Sequence, residues 1–142
     1  MPLKNSRVNI VIDPNILISA TITSNTRRKL YHILVSPRFR CFYCTELFDE
    51  YKTVISRLKF KKYVTPEQVT RFVQWAKPLM GLKRIKTFIR LSRDENDNYL
   101  LSLSLDSNSE YLITGDDDLL VLKKFVNTKI VTLTTFCNKY SI

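Results

Sequence analysis

The chain has 142 residues, 44% of them hydrophobic and 25% charged, with 23 Lys and Arg against 13 Asp and Glu for a formal net charge of +10. That is the size and make-up of one folded domain with a core of its own, and it excludes a disordered or fibrous chain. No stretch approaches the roughly 18 uninterrupted apolar residues of a membrane span, and two glycines in all exclude both a Walker-type phosphate loop and a G-x-G-x-x-G dinucleotide fingerprint.

The N-terminal "MPLKNSRVNIVID" passes from a few polar residues into a strand-like run without a signal-peptide pattern, so a soluble, cytoplasmic, single domain over residues 1–142 is expected. "VNIVID" (8–13) is short, nearly all apolar and β-branched, as suits a strand buried on both faces. Pro14 opens a helix through "NILISAT", and "TRRKLYHILVS" (26–36) reads as a second, capped by Asn25 or Thr26. "FRCFY" (39–43) is the second strand. "TELFDEYKTVISRL" from Thr45 has apolar residues at Leu47, Tyr51, Val54, Ile55 and Leu58, the spacing of an amphipathic helix. "TPEQVTRFVQWAKPLM" starts with a capping box of Thr65 and Gln68. "RIKTFIR" (84–90) alternates as a strand does, "NDNYLLSLSLDS" reads as a helix, and the strands "YLIT" and "KIVTL" flank a helical "DLLVLKKF". Strands alternating with helices predict an α/β fold, a three-layer α/β/α sandwich around a mainly parallel sheet.

Three cysteines make a poor disulfide framework and agree with a reducing compartment. Cys41 and Cys44 form a C-x-x-C, but three positions apart on a strand they face opposite ways. With His32 the only histidine, zinc lacks its usual ligands.

The acids are unevenly spread. Asp13 ends the first strand; Glu46, Asp49 and Glu50 open a helix; Asp94, Glu95 and Asp97 precede another; Asp116, Asp117 and Asp118 follow a strand, so four places hold ten of the thirteen. Glu46 and Asp49 suit the dipole of their helix, and Asp117 reads as solvated. In open α/β sheets the functional crevice lies beyond the carboxyl ends of the strands, where Asp13 and Asp116 fall. Helices returning to that edge could add Glu50 and Asp97. Carboxylates gathered there raise one another's pKa unless a cation lies between them, and an all-oxygen ligand set favours Mg²⁺ or Mn²⁺. Such an ion activates water and stabilises the oxygens of a phosphodiester displacement, with no need of a histidine base.

Outside those four places 23 bases face three acids, a surface suited to nucleic-acid phosphates. Arg27, Arg28 and Lys29 crowd a helix N-terminus, where the dipole disfavours cations; they are either phosphate contacts or ordinary solvated residues. Phe60 and Tyr63, interleaved with lysines, either meet a nucleic-acid strand or cover the core.

"VIDPNILISA", "ELFDEYKTVISRLKF", "RDENDNYLLSLSL" and "YLITGDDDLLVL", in this order and spacing, resemble the PIN-domain family, in particular the toxin ribonucleases of bacterial and archaeal toxin–antitoxin pairs. The resemblance runs from about residue 8 to residue 136. It implies a Rossmann-like PIN fold and metal-dependent cleavage of RNA. Asp13, Asp97 and Asp116 match the acids that hold metal, directly or through water. Glu50 matches the helix acid that helps a second ion or the water, and Asn15 and Thr114 match residues that position acids and water. Asp118 matches a frequent extra carboxylate, and Asp94 could share a helix face with Asp97 or exchange roles with it. The resemblance also implies an antitoxin partner whose basic groups meet the acids, and a possible homodimer. A haloacid-dehalogenase-type phosphatase needs a second Asp where Asn15 stands, and a receiver domain needs an acidic pair at the first strand's end. The competing reading is a catalytically silent RNA-binding module on the same fold, whose acids only cap helices.

Overall fold

β1 (Val8–Ile12) runs through the middle of the sheet, and its Ile10, Val11 and Ile12 are completely buried, as the apolar, branched sequence demands. The computed structural model describes residues 7–92 and 94–142. From β1 the chain enters α1 (Pro14–Ile22) and α2 (Ser24–Val35) and returns as β2 (Phe39–Tyr43). It then passes through α3 (Thr45–Ile55) and α4 (Pro66–Ala76) to the short β3 (Gly81–Leu82). After α5 (Asn98–Asp106) follow β4 (Tyr111–Ile113), α6 (Asp117–Leu120), β5 (Lys124–Phe125), β6 (Thr128–Val131) and α7 (Leu133–Tyr140).

Among the described residues the sheet has six strands in the order β3-β2-β1-β4-β6-β5. All pairings are parallel except β5 with β6 at the edge. Ile10 lies in register with Cys41 on one side and Tyr111 on the other. The chain first builds outward through β2 and β3, then starts again at β4 on the opposite side. The winding direction therefore reverses between β1 and β4, and the side chains that follow these two strands share the crevice at their carboxyl ends. α1 packs on α2 and α3, and α5 lies against β1 and β4. This is the α/β/α sandwich with a mainly parallel sheet that the alternation of strands and helices predicts. Leu17, Leu30, Ile33, Leu47, Leu100, Leu101 and Leu103 are fully buried helix residues that close the core over Ile10, Ile12, Leu112 and Ile113. No helix among the described residues is long and apolar enough to cross a membrane.

Several stretches depart from the sequence reading. Residues 84–90 form no strand. They belong to an extended segment whose N–H groups are taken by side chains of α5. Asp106 Oδ2 accepts from Lys86 and Thr87 at 2.6 and 2.8 Å, Ser102 Oγ from Ile89 at 3.0 Å, and Asn98 Oδ1 from Leu91 and Ser92 at 3.0 and 2.7 Å. Asn98, Ser102 and Asp106 are spaced by four and form one stripe along the helix. The alternation is real, but a helix rather than a neighbouring strand satisfies the backbone. Slight burial pushes the Asp106 carboxyl up, yet the N–H donors of Thr87 and Lys86 outweigh it and hold the group below its ordinary value.

The helix expected through "DLLVLKKF" stops at Leu120. Lys123 turns into the left-handed region at φ 61°, and Lys124 and Phe125 form β5. The next strand then ends at Val131, because Thr132 caps α7 by accepting from the Thr135 N–H at 3.1 Å.

Candidate metal centre

Asp13 leaves the core strand and caps α1. Its Oδ1 accepts from the Asn15 N–H at 2.8 Å, and its Oδ2 accepts from the Thr114 hydroxyl at 2.7 Å. Thr114, the first residue beyond β4, is completely buried, and its oxygen in turn accepts from the Asp116 N–H at 3.0 Å. One hydroxyl thus ties the ends of β1 and β4 together and fixes two acids. Asp13 is 1% exposed; burial pushes its carboxyl up, the Asn15 and Thr114 donors pull it down, and the Asp116 charge pushes it up again.

Asp116 caps α6, with Oδ1 accepting from the Asp118 N–H at 2.9 Å, and Asp94 caps the turn before α5, accepting from the Asn96 N–H at 3.0 Å. Asp13, Asp94 and Asp116 therefore share one local device, a carboxylate that captures the amide two residues ahead and opens a helical turn. That is why acids fit these places without metal. It does not account for Asp97. Asp97 is 8% exposed, and its Oδ2 is buried with no hydrogen-bond partner among the described residues. Burial, a shared hydrogen bond with Asp116 and the charges of Asp116, Asp94 and Asp13 push it up to about 8. An orphaned buried carboxylate oxygen is costly, and a cation is the partner its chemistry calls for.

Asp94, Asp97 and Asp118 each bring one carboxylate oxygen within 4.8 Å of the other two, so this trio could hold a metal ion. The hard oxygen donors fit a divalent cation of the Mg²⁺ or Mn²⁺ kind. Glu50 faces the same place from α3. Burial pushes its carboxyl up, the Tyr99 hydroxyl lowers it, and the charges of Asp13 and Asp94 raise it. The Tyr99 hydroxyl donates to Glu50 Oε1 at 2.9 Å.

The profile of the PIN domain matches residues 9–118, most of the chain. The chain belongs to the PIN-domain family. The same fold appears in the solved structure described as PAE2754 from Pyrobaculum aerophilum, at a TM-score of 0.65 and 12% identity, covering 98% of this chain and 94% of that one. A comparison with curated proteins gives no match. PIN domains are in general nucleases that work with divalent metal, and the acid cluster of this PIN domain fits such a site.

Asp13, Thr114 and Asp116 are joined by hydrogen bonds, and Asp97 and Glu50 are coupled to these acids through charge. Asp94 and Asp118, read from sequence as supporting acids, stand at ligand reach of Asp97. Asn15 is exposed and lines a cleft of about 400 Å³ with Thr114 and Asp116. Arg27 donates to the Ala20 and Thr21 carbonyls at 3.3 and 3.0 Å and so finishes α1, while Arg28 pairs with Asn25 on the surface at 2.8 Å. Lys29 is half-buried, with its charge felt at Cys137. Cys41 and Cys44 are buried thiols pushed up to about 12 by desolvation. Tyr63 is exposed, with the Lys62 ammonium 5.3 Å from its ring centroid. Tyr99 is the site residue that sequence reasoning passed over; its one signal was a phenol two positions beyond Asp97.

Proposed function

We propose that this PIN domain is a single-domain, metal-dependent endoribonuclease, the toxin of a toxin–antitoxin pair. The observation that carries the reading is the buried, partnerless Oδ2 of Asp97 amid carboxylates drawn from four parts of the chain. Helix capping explains Asp13, Asp94 and Asp116, but only chemistry explains an acid kept at Asp97 against its own desolvation.

Asp97 would be the central ligand of such an ion, with Asp94 and Asp118 beside it and Asp13 and Asp116 reaching it directly or through water. Glu50 would orient the attacking water or help a second ion. Mg²⁺ or Mn²⁺, when bound, lowers the pKa of water and neutralises charge developing on the phosphate. The chain's own part is to hold the acids still. Asn15 N–H and the Thr114 hydroxyl occupy one lone pair on each Asp13 oxygen, leaving further lone pairs for a ligand. The Tyr99 hydroxyl pins Glu50, so little reorganisation is needed when substrate arrives. The net charge of +10 draws RNA to a surface in which this pit gathers acids. Arg27, Arg28 and Lys29 add to that field. A small cytoplasmic antitoxin inserting basic groups near the acids is the inhibitor this electrostatics suits.

The test is cleavage of a mixed single-stranded RNA pool with Mn²⁺ and with chelator, for the wild type and for Asp13→Asn and Asp97→Asn. Metal-dependent cleavage lost in both folded variants supports the reading. Undiminished cleavage by the variants refutes the site, and RNA binding without cleavage at any metal concentration favours the silent binding module.

A further inference from the structure

Beside the acids lies a second cleft, of about 320 Å³, within the range of small-ligand sites. Ile85 and Ile89 of the extended segment form one wall, and Asn98 and Tyr99 of α5 form another. Its place is set by the acid cluster. Glu46, at its edge, precedes Glu50 by one turn of α3, and Asn98 and Tyr99 directly follow Asp97. Tyr99 belongs to both sites, lining the cleft while its hydroxyl holds Glu50.

Phe88 also lines this cleft and is 83% exposed, the most exposed large apolar side chain among the described residues. A bare phenyl ring beside Arg90 is poor core cover, but it is the surface on which an unstacked base lies down. The polar groups around it are of both kinds. Asn98 spends its Oδ1 on the Leu91 and Ser92 N–H groups, which fixes the amide and leaves its Nδ2 hydrogens as donors. Glu46 and Glu95 offer exposed carboxylates that accept from an exocyclic amino group.

We infer that this cleft takes one unpaired nucleobase of the RNA, stacked on Phe88, while an adjoining phosphodiester lies at the acids. The inference rests on the ribonuclease reading and gives its substrate class: single-stranded RNA, since a base held in a duplex cannot reach the ring. Donor and acceptors together suit a base that carries both an amino group and a carbonyl. Cytosine and guanine do; uracil lacks the amino group and adenine the carbonyl.

The test reads binding apart from cleavage. Fluorescence anisotropy is measured on the Asp13→Asn background, so that the strand stays intact, with Phe88→Ala or Phe88→Tyr added. The ligands are a short single strand containing cytosine, the same strand with that base removed, and its duplex. Phe88→Ala is expected to weaken the intact single strand by about tenfold, Phe88→Tyr to retain affinity, and the abasic strand and duplex to be indifferent to the ring. Equal binding of the single strand by Phe88→Ala and its parent overturns the proposal. So does a concentration-dependent dimer that Phe88→Ala dissociates without any change in RNA affinity. If the wild type cleaves no RNA with Mn²⁺, the ribonuclease reading fails, while these affinities still decide the cleft.

Discussion

The Thr114 hydroxyl donates to Asp13 Oδ2 at 2.7 Å across 101 positions of sequence, joining the ends of two parallel strands where the winding of the sheet reverses. The same oxygen accepts from Asp116, so its loss loosens two acids together. Thr114→Val keeps the shape and removes the hydroxyl. It is expected to weaken Mn²⁺ activation by roughly 10–100-fold and to cost about 1–2 kcal/mol of stability for the buried groups left unpaired. Thr114→Ser restores both. Metal titration of cleavage and a urea melt give the two readings; a Thr114→Val protein with wild-type metal dependence would show that the bond is only structural.

Tyr99→Phe removes the donor to Glu50 while leaving the ring. The fold should survive, because the lost bond ends on a half-buried carboxylate that water can reach. Cleavage is expected to fall by about tenfold, with circular dichroism unchanged. A Tyr99→Phe enzyme as active as the wild type removes Tyr99 from the machinery.

Asp97 gives a pH dependence with an unusual sign for a carboxylate. Its ordinary value is 3.8 and its folded value is raised to about 8, so between these the folded chain holds a proton that the unfolded chain has lost. Stability from this group therefore falls as pH rises through that window. Asp97→Asn carries no charge to desolvate. In chelator, its melting temperature should lose this slope and exceed the wild type's near pH 8, by about 1 kcal/mol in stability, while activity is abolished. Parallel melting curves for the two proteins across neutrality would contradict it.

Asp106 predicts the opposite sign. Burial pushes its carboxyl up, but the Thr87 and Lys86 donors together outweigh that and hold it below its ordinary 3.8. The stabilisation is complete above the ordinary value and is lost as pH falls through the folded one. Hydrogen exchange at Lys86 and Thr87 should accelerate by roughly tenfold in Asp106→Ala. Ile89, held by the uncharged Ser102, serves as the control.

Phe125 and Thr128 stand in register across β5 and β6, so Val126 and Asn127 alone make the turn. Val126 sits at φ 55°, left-handed backbone that a β-branched residue resists at a cost of about 1–2 kcal/mol. Val126→Gly supplies the residue that such a hairpin prefers in its first central position. We expect it to raise the melting temperature by a few degrees, read by calorimetry; a lower value would mean that the exposed valine contributes more than its strain costs.

Most of the fold is legible because strong local signals agree with it. The β-branched run of β1, the capping box of Thr65 and Gln68, with bonds of 2.8 and 3.2 Å, and Pro14 at the start of α1 stand where the sequence puts them. Residues 84–90 mislead because strand-like alternation says only that every second side chain faces inward, not who accepts the backbone hydrogens. α7 is hidden because Thr132 and Leu133 extend the strand-like pattern of β6 until the cap intervenes. At the site, the convergence of Asp13, Asp97 and Asp116 follows from strand ends and helix starts. Which oxygens come within ligand reach does not: the trio of Asp94, Asp97 and Asp118 depends on two short turns whose mutual placement no periodicity encodes.

The segment over α5 is gripped by its main chain, through three acceptors that belong to the helix, while Ile85 and Ile89 pack inward against the core. Amides are the same whatever side chain they precede. The outward-facing letters of that ribbon can thus be rewritten without unfastening it, and discrimination between targets can drift while the cutting chemistry next door stays untouched.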